Sequence, residues 1–115
     1  MIIGTRVLTL RKGDMSIEIP ISIYAPECEK PGVWRCRYDV GWPEGLRVFA
    51  GYGFDAIQAL TITLGMIGAE LYSSSYHKSG NLMWDKPGNG YGFPVVSSLR
   101  DLLVGDDVKY CDGPG

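Results

Sequence analysis

The feature that most constrains the fold is a pair of strictly alternating segments. In residues 16–24, SIEIPISIY, Ile17, Ile19, Ile21 and Ile23 fall on one side and Ser16, Glu18, Pro20, Ser22 and Tyr24 on the other. Successive side chains of a strand point to opposite faces, so this segment buries its isoleucines together only as a strand with one face in a core. Residues 33–42, VWRCRYDVGW, repeat the pattern, with Trp34, Cys36, Tyr38, Val40 and Trp42 opposite Val33, Arg35, Arg37, Asp39 and Gly41. The break APECEKPG separates the two. Pro20 has no N–H for a ladder, which places the first strand at a sheet edge or at a bulge.

Two weaker strands flank this pair. TRVLTLR at residues 5–11 alternates and runs into the turn residues KGD, as the first arm of a hairpin does. After WPEG, Leu46, Val48, Ala50 and Tyr52 alternate with Arg47, Phe49 and Gly51. The connections are too short for the crossovers that parallel neighbours need, so four strands in an antiparallel meander are expected.

The period then changes. In GFDAIQAL, Asp55 can accept from the free amides of a first helical turn and Gln58, three residues on, can reach back to the cap. Ile57, Leu60, Leu64, Ile67 and Leu71 share one stripe at about 100° per residue, the stripe expected on the sheet. Ala59, Ile62, Met66 and Ala69 form a second apolar stripe, with small residues Thr61, Gly65 and Gly68 between. A helix sealed by a sheet alone has no use for that stripe, so the C-terminal third or another subunit should cover it. Close approach of another element would explain Gly65 and Gly68, each of which costs about 1 kcal/mol of helix propensity. SSLRDLLV at residues 97–104 reads as a short second helix, and YCDGPG at the end as a frayed tail. The expected architecture is therefore α+β: a four-stranded antiparallel meander packed by one long helix, with an irregular aromatic, glycine-rich cover, in one domain of residues 1–115.

Composition narrows the classes of function. A formal charge of −2 gives no general attraction to phosphate backbones, which argues against nucleic acid as a partner. No run approaches the roughly 20 apolar residues needed to cross a bilayer, and MIIGTRVLTLRKGD lacks the layout of a secretory signal, so no membrane association and a cytoplasmic location are expected. Cys28, Cys36 and Cys111 match neither a zinc nor a redox spacing and read as reduced thiols, with Cys36 in the core. One histidine and scattered carboxylates, Asp106 and Asp107 among them, do not furnish a metal site, and no cofactor is expected.

Residues 72–94, YSSSYHKSGNLMWDKPGNGYGFP, gather the only histidine with a glycine cluster and several aromatics. A catalytic reading makes His77 a general base, one of Ser73, Ser74, Ser75 or Ser79 a nucleophile and Asp85 the orienting group, with Tyr76 nearby. No G-x-S-x-G elbow frames them, and serines beside a histidine also make a polar helix terminus. Gly88, Gly90 and Gly92 fit neither a dinucleotide fingerprint nor a P-loop and read as consecutive tight turns. Trp84, Tyr91 and Phe93 are then expected to fold over Ile62 and Met66 as a lid. On the polar sheet face, Arg35, Arg37 and Arg47 near Tyr24 and Phe49 could take an acidic partner or stack on single-stranded nucleic acid, or form cross-strand pairs with Glu18 and Asp39.

Trp34-x-Cys36-x-Tyr38, Gly53-x-Asp55-x-x-Gln58-Ala59-Leu60 and Gly92-Phe93-Pro94 together resemble a family of small, single-domain, uncharacterised bacterial proteins, over residues 33–104. The resemblance implies a compact α+β domain of bacterial origin and no particular activity. The residues lead first to a non-enzymatic protein-interaction domain, a homodimer or the partner of another bacterial protein, of the immunity or antitoxin kind. Its interaction residues would be Arg35, Arg37, Arg47, Ile62 and Met66. The rivals are a small hydrolase or ligand-binding enzyme centred on His77, Asp85 and Tyr76, and a nucleic-acid-binding module using the arginine face.

Overall fold

The computed structural model describes residues 1–94. The segment at 97–104, the terminal YCDGPG, Asp106, Asp107 and Cys111 lie outside the described residues. The elements run β1 (Ile2–Lys12), β2 (Met15–Tyr24), β3 (Glu27–Lys30), β4 (Val33–Trp42), β5 (Gly45–Gly53), α1 (Ala56–Ser73), α2 (Ser75–Lys78) and β6 (Leu82–Met83). The class is α+β. The strands form one antiparallel sheet in the order β3-β4-β2-β1-β6, with β5 also on β4.

Six strands replace the expected four. The meander is present as β1, β2, β4 and β5; β3 and β6 are additions. Because β5 pairs with β4 from Trp34 to Trp42, β2 and β3 share the other edge of β4, β2 opposite Tyr38–Val40 and β3 opposite Val33–Arg35. A four-residue strand interrupted by a register shift carries too little alternation to stand out in the sequence. β2 is an interior strand rather than an edge. Its pairing with β4 covers only Ile21–Ile23, so the missing amide of Pro20 lies just beyond that ladder, and Gly41 makes room beside it: a Cβ on Gly41 would lie 3.0 Å from the proline ring.

The chain divides into two compact units, Met1–Val7 with Ile19–Leu64, and Leu8–Glu18 with the chain from Gly65 onward. The first buries Ile19, Ile21, Cys36, Tyr38, Val40, Trp42 and Ala59, the inner faces of β2 and β4 together with α1. Each large apolar side chain so buried contributes about 1.5–3 kcal/mol before chain entropy is counted. The second unit buries Leu8, Leu10, Ile67, Leu71, Tyr72, Leu82, Tyr91 and Phe93.

Helix α1 begins as its cap residues dictate. Asp55 Oδ1 accepts from the Gln58 amide at 2.7 Å, and Gln58 Oε1 reaches back to the Phe54 amide at 2.6 Å. Its rotation differs from the expected one. The fully buried line is Ala59, Thr63, Ile67 and Leu71, whereas Ile57 is 77% exposed and Leu60 and Leu64 are half-buried. The expected stripe gave no weight to a threonine. Thr63 is nevertheless buried completely, because its hydroxyl accepts from the Gly51 amide at 3.0 Å and donates to the Cys36 carbonyl at 2.8 Å. A buried hydroxyl with both roles filled carries no desolvation penalty large enough to expel it. Among the described residues, a Cβ on Gly65 would meet nothing within 4 Å.

Candidate functional site

The geometry of β5 follows from its hairpin with β4. Trp42 pairs with Gly45 across the Pro43–Glu44 turn, and every second residue thereafter shares the inner face: Gly45, Arg47, Phe49, Gly51 and Gly53. Leu46, Val48, Ala50 and Tyr52 therefore point to the outer face, where Leu46, Val48 and Tyr52 are 64%, 52% and 51% exposed. The two inner glycines let α1 approach. A Cβ on Gly53 would lie 2.6 Å from the Ala59 amide nitrogen, and one on Gly51 2.9 Å from that of Thr63.

The strand runs directly into the helix, and the junction leaves Phe54 80%, Ile57 77% and Ile62 41% exposed. Gly32, Val33, Tyr52, Gly53, Phe54, Gln58 and Ile62 line an open groove of about 360 Å³ here. Large apolar side chains are common singly on a surface, but Tyr52, Phe54 and Ile62 around one groove, with Leu46, Val48 and Ile57 exposed on the same two elements, make a surface of the kind that marks an interaction site. Ile62 was expected beneath an aromatic lid. It is 41% exposed and Met66 is half-buried, while Tyr91 of the expected lid packs on Tyr72 and His77.

The arginines do not form one cluster. Arg35 and Arg37 stand on the outer face, while Arg47, opposite Val40, is on the inner face with its guanidinium 4.9 Å from the Phe49 ring. Arg35 is held by Glu29 at 3.1 Å and Glu27 at 3.4 Å, both from β3. Arg37 lies 4.7 Å over the Tyr24 ring, and the Tyr24 hydroxyl donates to Asp39 at 2.6 Å, which holds the phenolic proton and raises its pKa. Asp39 thus bonds a tyrosine, and the ion pairs shown are those of Arg35.

In the second unit, Ser74 ends α1 and starts α2. Its hydroxyl donates to the Leu71 carbonyl at 2.7 Å and accepts from the His77 amide at 3.1 Å, while Ser79 Oγ donates to the Tyr76 carbonyl at 3.0 Å. These two serines are capping groups. His77 Nδ1 meets the Tyr91 hydroxyl at 2.6 Å, and the rings of Tyr72, His77 and Tyr91 pack with centroids 4.7–5.6 Å apart. The same hydroxyl lies 3.4 Å from the Leu82 carbonyl. The hydroxyl has one proton, so donation to the Leu82 carbonyl goes with an imidazole proton on Nδ1 and donation to Nδ1 with one on Nε2. Burial lowers the His77 pKa.

Asp85, the expected orienting group, is exposed at φ +63°, and Tyr76 is half-buried, bonded to Ser79 through its carbonyl. The ring is oriented by Tyr91, which stabilises an imidazolium less than a carboxylate would. A cavity of about 210 Å³ lies against His77, Gly80, Leu82, Met83, Gly88, Gly90 and Tyr91. Among the described residues no group of three or more His, Cys, Asp or Glu could hold a metal ion, and no helix is long and apolar enough to cross a membrane.

The outward set of β5 was legible as an alternation, but its direction was not. The signal that could have fixed it is Gly51-x-Gly53 immediately before a helix start, a spacing that puts both glycines on the face the helix must cross. No curated protein and no solved structure matches the chain. A family model, described as a domain of unknown function (DUF6968), matches residues 4–95, and the chain belongs to that family.

Proposed function

We propose that this chain is a protein-interaction domain whose binding surface is the apolar patch of β5 and the start of α1. The observation that carries this reading is an open groove lined by the exposed side chains of Tyr52, Phe54 and Ile62, with Leu46, Val48 and Ile57 also exposed on β5 and the start of α1. A stable fold gains nothing from leaving them in water, at about 25 cal/mol per Å² of apolar surface. Aromatic anchors beside a shallow groove, with charges held at the margin by Arg35, Glu27 and Glu29, match the composition of interface centres and rims.

The alternative, a ligand-binding or hydrolytic site at His77, is favoured by the cavity that the imidazole lines. Among the described residues the ring nitrogen Nδ1 meets a tyrosine hydroxyl and not a carboxylate, and the hydroxyls of Ser74 and Ser79 are engaged in caps. Nucleic-acid binding through three arginines has less support, because they stand on two faces.

Native mass spectrometry of the chain, purified alone and recovered from the cells that make it, tests the proposal. The wild type should carry a further polypeptide, and the Val48→Asp, Phe54→Asp, Ile57→Asp variant should run as a bare monomer. A wild type that is monomeric in both preparations, or a variant that keeps its companion, would contradict it.

A further inference from the structure

We infer that strand β5 pairs edge to edge with β5 of a second copy, antiparallel, about a two-fold axis through Phe49. This rests on the reading of the domain as an interaction module and names one partner for its surface.

Three observations carry it. First, β5 is nine residues long and, among the described residues, pairs only with β4, so its other edge offers a row of backbone donors and acceptors. Folded proteins guard such an edge with lysine, proline, outward charge or a bulge. GLRVFAGYG contains neither lysine nor proline, its outward residues are Leu46, Val48, Ala50 and Tyr52, and its register with β4 is unbroken.

Second, the outward residues on both sides of Phe49 are apolar. Val48 and Ala50 flank it, Leu46 and Tyr52 are the next outward pair, and Gly45 and Gly53 close the ends. Antiparallel self-pairing centred there sets Leu46 against Tyr52 and Val48 against Ala50 on one face, and Phe49 against its own copy on the other. Residues directly opposite in such a ladder point to the same side, so the outer apolar row doubles in width without a polar interruption.

Third, the charges are compatible with it. Arg47 is the only charged residue of β5, and it falls opposite Gly51. The two Arg47 residues are then separated by four residue steps, about 13 Å along the strands, beyond the distance at which exposed like charges repel strongly at physiological salt. Shifting the axis by one residue to Val48 keeps the faces aligned but halves that separation. A two-fold contact also consumes both free edges at once, giving a closed dimer rather than an open fibre.

Light scattering on the whole chain tests the inference. The wild type should show twice the monomer mass, and Val48→Lys, which places the missing guard on an outward, half-exposed position, should weaken the dimer at least about tenfold with an unchanged thermal transition. Ile57→Asp, on the helix, should leave the dimer intact. An oxidised Phe49→Cys, Cys28→Ser variant should run as a covalent dimer, because self-opposed residues sit at about 4.5–5.5 Å between Cα atoms, within disulfide range. A monomeric wild type, a dimer indifferent to Val48→Lys, or a Phe49→Cys chain that stays reduced would overturn edge pairing. A dimer broken by Ile57→Asp but not by Val48→Lys would overturn it too, yet leave the interaction reading standing at the groove.

Discussion

The hydroxyl of Thr63 stands where a side chain on Gly51 would have to go. Gly51 gives its amide to that hydroxyl at 3.0 Å, and the hydroxyl passes its own proton to Cys36 on the next strand at 2.8 Å. One polar atom of α1 thus fastens the helix to two strands. A residue with any Cβ at position 51 would press it out. The pair decides which face of β5 the helix covers, and therefore which face is left in water.

Thr63→Val keeps the shape and removes the hydroxyl, leaving a buried amide and a buried carbonyl short of a partner. A loss of about 1–3 kcal/mol is expected in denaturant titration. Gly51→Ala should cost a similar amount by overpacking, and its cost should shrink only in part in a Thr63→Ala background, because the backbone nitrogen of residue 63 still lies 2.9 Å from the added Cβ.

Asp55→Ala removes the acceptor for the Gln58 amide at an exposed helix start. About 1 kcal/mol of stability should be lost, and Asp55→Asn should recover most of it. Circular dichroism thermal melts would show both.

Stability should fall on mild acidification because of His77. Its pKa is lower in the folded chain than the ordinary 6.5, so just below 6.5 the unfolded chain binds more protons than the native one. Unfolding free energy should therefore rise with pH up to about 6.5 and then level, as far as this group is concerned. A His77→Gln chain should lose that part of the slope, measured by urea titration from pH 5 to 7.5.

Tyr91→Phe keeps the ring contacts and removes the hydroxyl that meets Nδ1. About 1 kcal/mol should be lost. Nitrogen-15 shifts of the imidazole should change as Nδ1 loses its partner, a readout that packing alone would not change.

How much of this was legible beforehand differs by element. β2 and β4 declared themselves, because four isoleucines in one segment, and two tryptophans with a tyrosine in the other, leave only one face to bury. The start of α1 was equally plain from Asp55 and Gln58. The rotation of α1 was not, since counting aliphatic residues favoured Ile57 and ignored Thr63, whose place depends on two strand backbones distant in sequence. For the same reason the arginines looked like one cluster. Arg47 alternates as Arg35 and Arg37 do, but only the Trp42–Gly45 pairing shows that it points the other way. The partner of His77 lies fourteen residues away, across turns set by glycines at positive φ, so adjacent serines and Asp85 drew attention that belonged to Tyr91.

Hydrogen–deuterium exchange across residues 45–54, at dilute and at concentrated protein, bears most directly on the claim that β5 is an interface. Amides of this strand that face away from β4 should exchange quickly when dilute and slowly when concentrated, and Val48→Lys should abolish the difference. Exchange that is the same at every concentration would contradict the account.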